Sequence, residues 1–286
     1  MTEPVGSTND AADGGLSAEE MARRAGSFGG AASLYERYRP GPPAVAVDWI
    51  LQTRPAAVVD LGAGTGALSK LLVERADTVF AVEPDERMLA VLKENLPGVT
   101  AVVGQGEAIP LPDASADAVV ASSSWHWMDR DRTLAEVARV LTPGGTLGAV
   151  WSGPDRDGPF LQQAEALLSS GSGGGNEVHS PESGPDLDMA DTIMGRDTPD
   201  PVLAIPADSP FGQPEHEIFT WDVALNADDL IGLLGTFSWI ILLPEAQREN
   251  VFAEARRVLK DGLGVEGDVT VDVQYRADAW RARLAP

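Results

Sequence analysis

One stretch, VVDLGAGTGALSKLL at residues 58–72, constrains this chain more than any other. An apolar strand runs directly into Gly62, Gly64 and Gly66, and a helix-forming segment over 66–75 follows at once. Glycines there let the backbone turn sharply and let a ligand lie against bare amides near a helix N-terminus. With Ala67 the loop also fits the pattern G-x-G-x-x-A, so a nicotinamide dinucleotide enzyme stays open at this point. Glu83 closes the next strand, TVFAVE, about 20 residues beyond Gly62. A carboxylate at that strand end can accept both hydroxyls of a ribose.

From Ala56 onward the chain alternates short strands, rich in Val and Ala, with amphipathic helices. The strands are expected at 56–61, 78–83, 99–103, 117–122 and 145–151, with helices at 85–95 and 130–141 between them. Strands apolar on both faces belong to a parallel sheet covered by helices, which predicts an α/β, doubly wound, Rossmann-like fold. The rhythm breaks at GSGGGNE. The acidic stretch over 171–212 reads as a solvated insertion or as a lid over a site. Regular structure resumes with a strand at 217–223, a helix capped by Asn226, a helix over 245–260 and an alternating segment at 269–275. The predicted organisation is a tail at 1–16, an N-terminal helical lid at 17–44 and a nucleotide-binding core at 45–152. The insertion at 153–212 and the C-terminal strands and helices at 213–286 follow. Within the lid, Ser17 and Glu20 form a capping box, and a second helix over 28–39 stops at Pro40, Pro42 and Pro43.

Charge narrows the partners. Asp and Glu number 44 against 21 Lys and Arg, a formal charge of -23. That balance argues against a nucleic-acid backbone and against an anionic membrane surface, both of which need a basic face. The N-terminus has neither a basic leader nor an apolar segment, so a cytoplasmic location is expected. Without cysteine there is no disulfide, no thiolate metal site and no thiol nucleophile. The histidines His126, His179 and His216 stand without ligand-spaced acids, so no metal is expected. The oligomeric state is not legible.

Taken in order, DLGAGTG, VEPDERML and VVGQGEAIPLPDASADAVVASSSWHWMDRDRTLAEVARVLTPGGTL resemble the class I S-adenosylmethionine-dependent methyltransferases. Within these they resemble the small-molecule branch that holds the ubiquinone-biosynthesis and trans-aconitate methyltransferases. The resemblance implies a seven-stranded sheet ending in an antiparallel pair, and S-adenosylmethionine as cofactor with S-adenosylhomocysteine as product. It implies a small-molecule acceptor in specialised metabolism. Asp60, Gly62, Gly64 and Gly66 would line the methionine half of the cofactor. Glu83 would hold the ribose, with Pro84 and Met88 flanking the adenine. Gln105, Gly106 and Glu107 match the stretch that reads the adenine edge, although relatives often carry an acid in place of Gln105. Ser122 and Ser123 would sit beside the methionine moiety. Tyr35 and Arg39 would approach the cofactor carboxylate, and Tyr38 the substrate.

The cofactor's sulfonium makes its methyl electrophilic, so a base is useful but not obligatory. His126, just beyond the fourth strand, is the candidate general base; the other reading is a histidine that orders its loop. Trp125, Trp127 and Trp239 are candidate walls of an apolar substrate pocket, or core residues. The same cofactor site would also serve a non-methylating reaction, such as alkyl transfer within the cofactor.

Overall fold

Val58, Val59 and Leu61 alternate across the first strand, and that alternation sets the layers. Val58 packs into one apolar cluster and Val59 and Leu61 into another. Ala118 and Val120 join the first cluster, while Val119 and Ala121 join the second. These two strands thus bury both faces, as the centre of a parallel sheet between two helical layers requires.

The computed structural model describes Tyr38 and residues 41–171, 202–236, 238–241 and 243–286. Among these, β1 (Ala57–Leu61), β2 (Thr78–Glu83), β3 (Thr100–Val103) and β4 (Ala116–Ser122) are joined by β5 (Leu141–Pro154), β6 (Glu215–Leu225) and β7 (Val271–Arg283). They form one seven-stranded sheet in the order β3-β2-β1-β4-β5-β7-β6. The first five strands pair in parallel, and β7 lies antiparallel to both β5 and β6. This is the doubly wound sheet with a C-terminal antiparallel pair that the sequence led us to expect.

The helices are α1 (Ala44–Leu51), α2 (Ser69–Leu72), α3 (Glu86–Asn95), α4 (Arg130–Val140), α5 (Pro159–Gly171), α6 (Ala227–Leu234), α7 (Ser238–Ile241) and α8 (Glu245–Arg257). The first apolar layer takes Ile50 from α1, Leu72 from α2 and Leu89 and Leu92 from α3. The second takes Leu134 and Val137 from α4, together with Leu203 and Phe211. The strand order reverses between β1 and β4, so the carboxyl ends of those strands open onto the crevice where such sheets bind ligands.

Several boundaries differ from the expectation. The helix expected at 66–75 is regular only over Ser69–Leu72, because the glycine turn extends to Gly66 at a φ of 96°. Ala44–Leu51 is helical and buries Ala46, Val47, Ile50 and Leu51, so the 44/45 boundary between lid and core falls inside one helix. Pro43 stands at its N-cap, where a fixed φ and a missing amide cost nothing. β5 begins at Leu141 rather than at 145. Leu141 pairs with Ala116, the next register pair is Ala118 with Thr146, and Gly144 takes a φ of 76° in the bulge between. β7 continues to Arg283, well past the expected 275, because its charges are paired. Arg276 meets Asp278 through two bonds of 2.8 Å, and Arg281 reaches Glu215 at 2.6 Å. Within the stretch expected as an insertion, 153–212, α5 fills 159–171, and Leu203 and Phe211 are core residues. The helix expected at 245–260 runs to Arg257, and a wider turn takes over at Val258–Gly262. The 1–16 tail, the Ser17–Glu20 box, Tyr35, Arg39 and most of the acidic stretch lie outside the described residues.

Candidate functional site

The glycine loop begins where β1 ends. Gly62, Gly64 and Gly66 take φ values of 71°, 56° and 96°, in the left-handed region that glycine enters without penalty. At Gly62 space is closed as well: a Cβ there would stand 2.5 Å from that of Ser124. The Ser124 hydroxyl donates to the Leu61 carbonyl at 2.6 Å, which ties the end of β1 to the loop after β4. Met128 bridges further. A Cβ at Gly62 would meet its Cε at 3.2 Å, and one at Gly106 would meet its Sδ at 2.6 Å.

Glu83 and this loop form one unit. The Gly64 amide donates to Glu83 Oε2 at 2.9 Å, and the Asp85 amide donates to Oε1 at 3.0 Å. Each carboxylate oxygen keeps a second lone pair, enough to accept the two hydroxyls of a ribose. Burial pushes the Glu83 carboxyl above its ordinary range, and the two amides pull the other way. Met88, 6% exposed, brings its Sδ to 3.8 Å from where a Gly64 Cβ would be, and Pro84 beside it is exposed.

Asp60 lies beneath the loop and is wholly buried. Its Oδ2 accepts from the Ser69 hydroxyl at 2.6 Å, while Oδ1 has no hydrogen-bond partner among the described residues. Burial raises its pKa to about 7, the Ser69 bonds oppose that shift, and the Glu83 charge adds to it. A buried, unpartnered carboxylate oxygen under a glycine cradle fits a ligand that brings a cation or donor to it. The residues therefore fit the nucleoside and amino-acid parts of S-adenosylmethionine.

The loop after β3 is held against this site. Gly106 is buried, Gln105 is exposed, and Glu107 Oε1 accepts from the Asp129 amide at 2.6 Å. Glu107 thus fixes the start of α4. Ser122 ends β4, and Ser123 adopts a φ of 51° while its amide donates to the Val150 carbonyl at 2.8 Å.

His126 sits in a single turn, Trp125–Trp127, just past β4. Its Nδ1 accepts from the Trp151 indole nitrogen at 3.0 Å, and its ring lies 4.5 Å from that of Trp127. Trp125 is 6% exposed and lies in the core cluster with Leu134 and Val137, the second of the two places the sequence left open for it. The Tyr38 ring seats on α6 at Gly232, where an added Cβ would come within 2.4 Å of it, which joins the N-terminal segment to the C-terminal helices. Trp239 falls within α7.

Sequence reading missed Ser69, Ser124 and Met128, which touch Asp60, Gly62 and Gly106. Only one signal was available: Ser124 and Met128 lie in the same SSSWHWM segment as His126. Among the described residues no cluster of His, Asp and Glu could hold a metal, and no helix is long and apolar enough to cross a membrane.

Residues 59–149 match the methyltransferase domain family. An uncharacterized methyltransferase of Mycobacterium tuberculosis is 52% identical over 126 residues, covering 44% of this chain and 52% of the relative. The chain thus spans about half the length of the curated relatives it matches first. A malonyl-[acyl-carrier protein] O-methyltransferase of Methylococcus capsulatus is 43% identical over 99 residues, 32% of this chain and 36% of that protein. A solved chain from Anaeromyxobacter dehalogenans, assigned as a type II methyltransferase, superposes with a TM-score of 0.54 at 26% identity. It covers 87% of this chain and 99% of its own. The strand order, the glycine loop joined to Glu83 and these likenesses agree, and together they support a class I S-adenosylmethionine-dependent methyltransferase family.

Proposed function

We propose that the protein is an S-adenosylmethionine-dependent methyltransferase acting on a small-molecule acceptor. The observation that carries this reading is the bond from the Gly64 amide to Glu83 Oε2, which makes the glycine loop and the ribose acceptor a single preformed surface. When bound, the cofactor supplies an electrophilic methyl on its sulfonium. Glu83 would hold the ribose hydroxyls, and Asp60 Oδ1 would take a donor from the methionine half. Gly64 leaves backbone bare for close approach, and Gly106 with Gln105 would meet the adenine edge. The catalytic task left to the chain is to orient the acceptor in line and keep water out.

The small-molecule acceptor is favoured by the charge of -23, which repels nucleic acid. The Methylococcus relative is by name an O-methyltransferase, which favours oxygen as the attacking atom.

The test is to incubate the protein with methyl-labelled S-adenosylmethionine and a panel of small carboxylic acids, phenols and amines. Acceptor-dependent release of S-adenosylhomocysteine, with label in the acceptor, is the expected result. Methylthioadenosine in its place would assign the cofactor site to the non-methylating use, and a wild-type protein that binds neither S-adenosylmethionine nor S-adenosylhomocysteine would overturn the reading.

A further inference from the structure

The sheet ends in two edges that are built differently. β3 is four residues long, too short to template another strand. β6 runs for 11 residues, Glu215–Leu225, and pairs with β7 in an unbroken register. Among the described residues no strand lies on its other side. In an antiparallel ladder every second residue turns its amide and carbonyl away from the partner strand, so about half of the β6 backbone groups face outward. The usual protections of an edge are missing: the strand, EHEIFTWDVAL, has no lysine, no proline and no bulge. His216, Ile218, Thr220, Asp222 and Ala224 are all exposed, so that face of the strand is open. On the other face Phe219 and Trp221 pack against the first apolar layer yet are only half-buried.

This edge matches itself. A two-fold axis perpendicular to the sheet keeps each face on its own side, so only residues whose numbers sum to an even value can oppose across it. An antiparallel pairing centred on Thr220 uses the whole strand. Phe219 then faces the partner's Trp221, and Trp221 the partner's Phe219, the aromatic pairs that stabilise neighbouring strands. Ile218 faces the partner's Asp222, Glu217 the partner's Val223 and Glu215 the partner's Leu225. No acid stands opposite an acid, although the chain carries a charge of -23. Two of the strand's polar groups are already answered within the chain, Glu215 by Arg281 at 2.6 Å and His216 by Asp278 at 3.0 Å. We propose that β6 is a dimer edge, at which two copies of this chain join antiparallel about Thr220 and their two sheets become one. At roughly 3.3 Å per residue the shared edge runs about 35 Å and forms about ten backbone hydrogen bonds. The order β1-β4-β5-β7-β6 puts this edge at the far end of the sheet from the glycine loop, so the dimer leaves that loop uncovered.

The experiment is sedimentation velocity of the full-length protein from about 1 to about 100 μM, at about 0.15 and 0.5 M salt. The wild type should show a monomer–dimer equilibrium that tightens with salt, because screening relieves the repulsion between two acidic chains. Thr220 meets its own copy on the axis, which makes the register testable. Thr220→Asp and Thr220→Lys, each alone, should raise the dissociation constant about fivefold or more, and an equal mixture of the two should pair at least as well as the wild type. Ile218→Glu, opposite the partner's Asp222, should weaken the dimer, whereas Ile218→Lys should keep it. Both positions are exposed in the single chain, so the variants should keep the wild-type circular dichroism spectrum, which separates lost pairing from lost fold. A wild type that stays monomeric throughout, leaving the edge to some other chain, would overturn the proposal. So would a dimer indifferent to these substitutions, or a mixture of the Thr220 variants that does not pair.

Discussion

Asp60 is where the site costs the fold most. Its carboxyl is wholly buried, bonded through one oxygen to Ser69, and raised from 3.8 to about 7 by burial. A pKa higher in the folded than in the unfolded chain means that the folded protein binds that proton more tightly. The resulting stability is complete below about pH 4 and is lost as pH rises through about 7. At about 1.4 kcal/mol per pKa unit the cost is on the order of a few kcal/mol at pH 8. Asp60→Asn keeps the acceptor for Ser69 without the charge. Urea unfolding should therefore find the variant more stable than wild type at pH 8, by about 1–3 kcal/mol, with the difference closing toward pH 4. Glu83, shifted in the same direction, leaves a residual slope in both proteins. Glycine gives a second test. Gly62→Ala adds positive-φ strain and a 2.5 Å collision with Ser124, and should cost about 2–4 kcal/mol. Gly144→Ala at a φ of 76° meets nothing within 4 Å and should cost about 1–2 kcal/mol. Thermal or denaturant unfolding of the pair compares backbone strain alone with strain plus overlap.

At the scale of elements, signals written in local residue order were legible and those written in pairing were not. Asn226 is a clear case: its side chain accepts from the Asp229 amide at 2.9 Å and the Asp229 carboxylate answers at 3.3 Å, a reciprocal cap on α6. Asn226→Ala should cost about 1 kcal/mol in denaturant unfolding, whereas the exposed Asp222→Ala should cost little. The β1 and β2 ends were readable because a strand, a glycine turn and an acid form a contiguous pattern. The far half of β7 was not, since Arg276 and Asp278 pair with each other along the strand, and Asp278 and Arg281 meet His216 and Glu215 only once β6 lies alongside. The bulge in β5 was hidden for a similar reason. Pro143-Gly144-Gly145 reads as a helix stop, and only the register of Ala116 with Leu141 shows that the strand has already begun. At the site, Asp60, Glu83 and the glycines were visible in sequence. Ser124, and the bond that ties Trp151 to His126, became visible only in the structure.

For the whole molecule, the sheet order β3-β2-β1-β4-β5-β7-β6 brings three separate pieces of sequence to one edge. Glu83 arrives from β2, the glycine loop from β1, and Ser124, His126 and Met128 from the segment after β4. The chain fixes these groups before any ligand arrives, through Glu83 with Gly64 and through Ser124 with Leu61. The central claim is that this joined surface holds the cofactor, and calorimetric titration of S-adenosylhomocysteine into wild type and Glu83→Ala tests it most directly. The account predicts one site per chain in wild type and a loss of about 1–3 kcal/mol in the variant, as for a buried acceptor removed from its donors. Equal affinity in the two proteins, each shown to be folded by its unfolding transition, would contradict it.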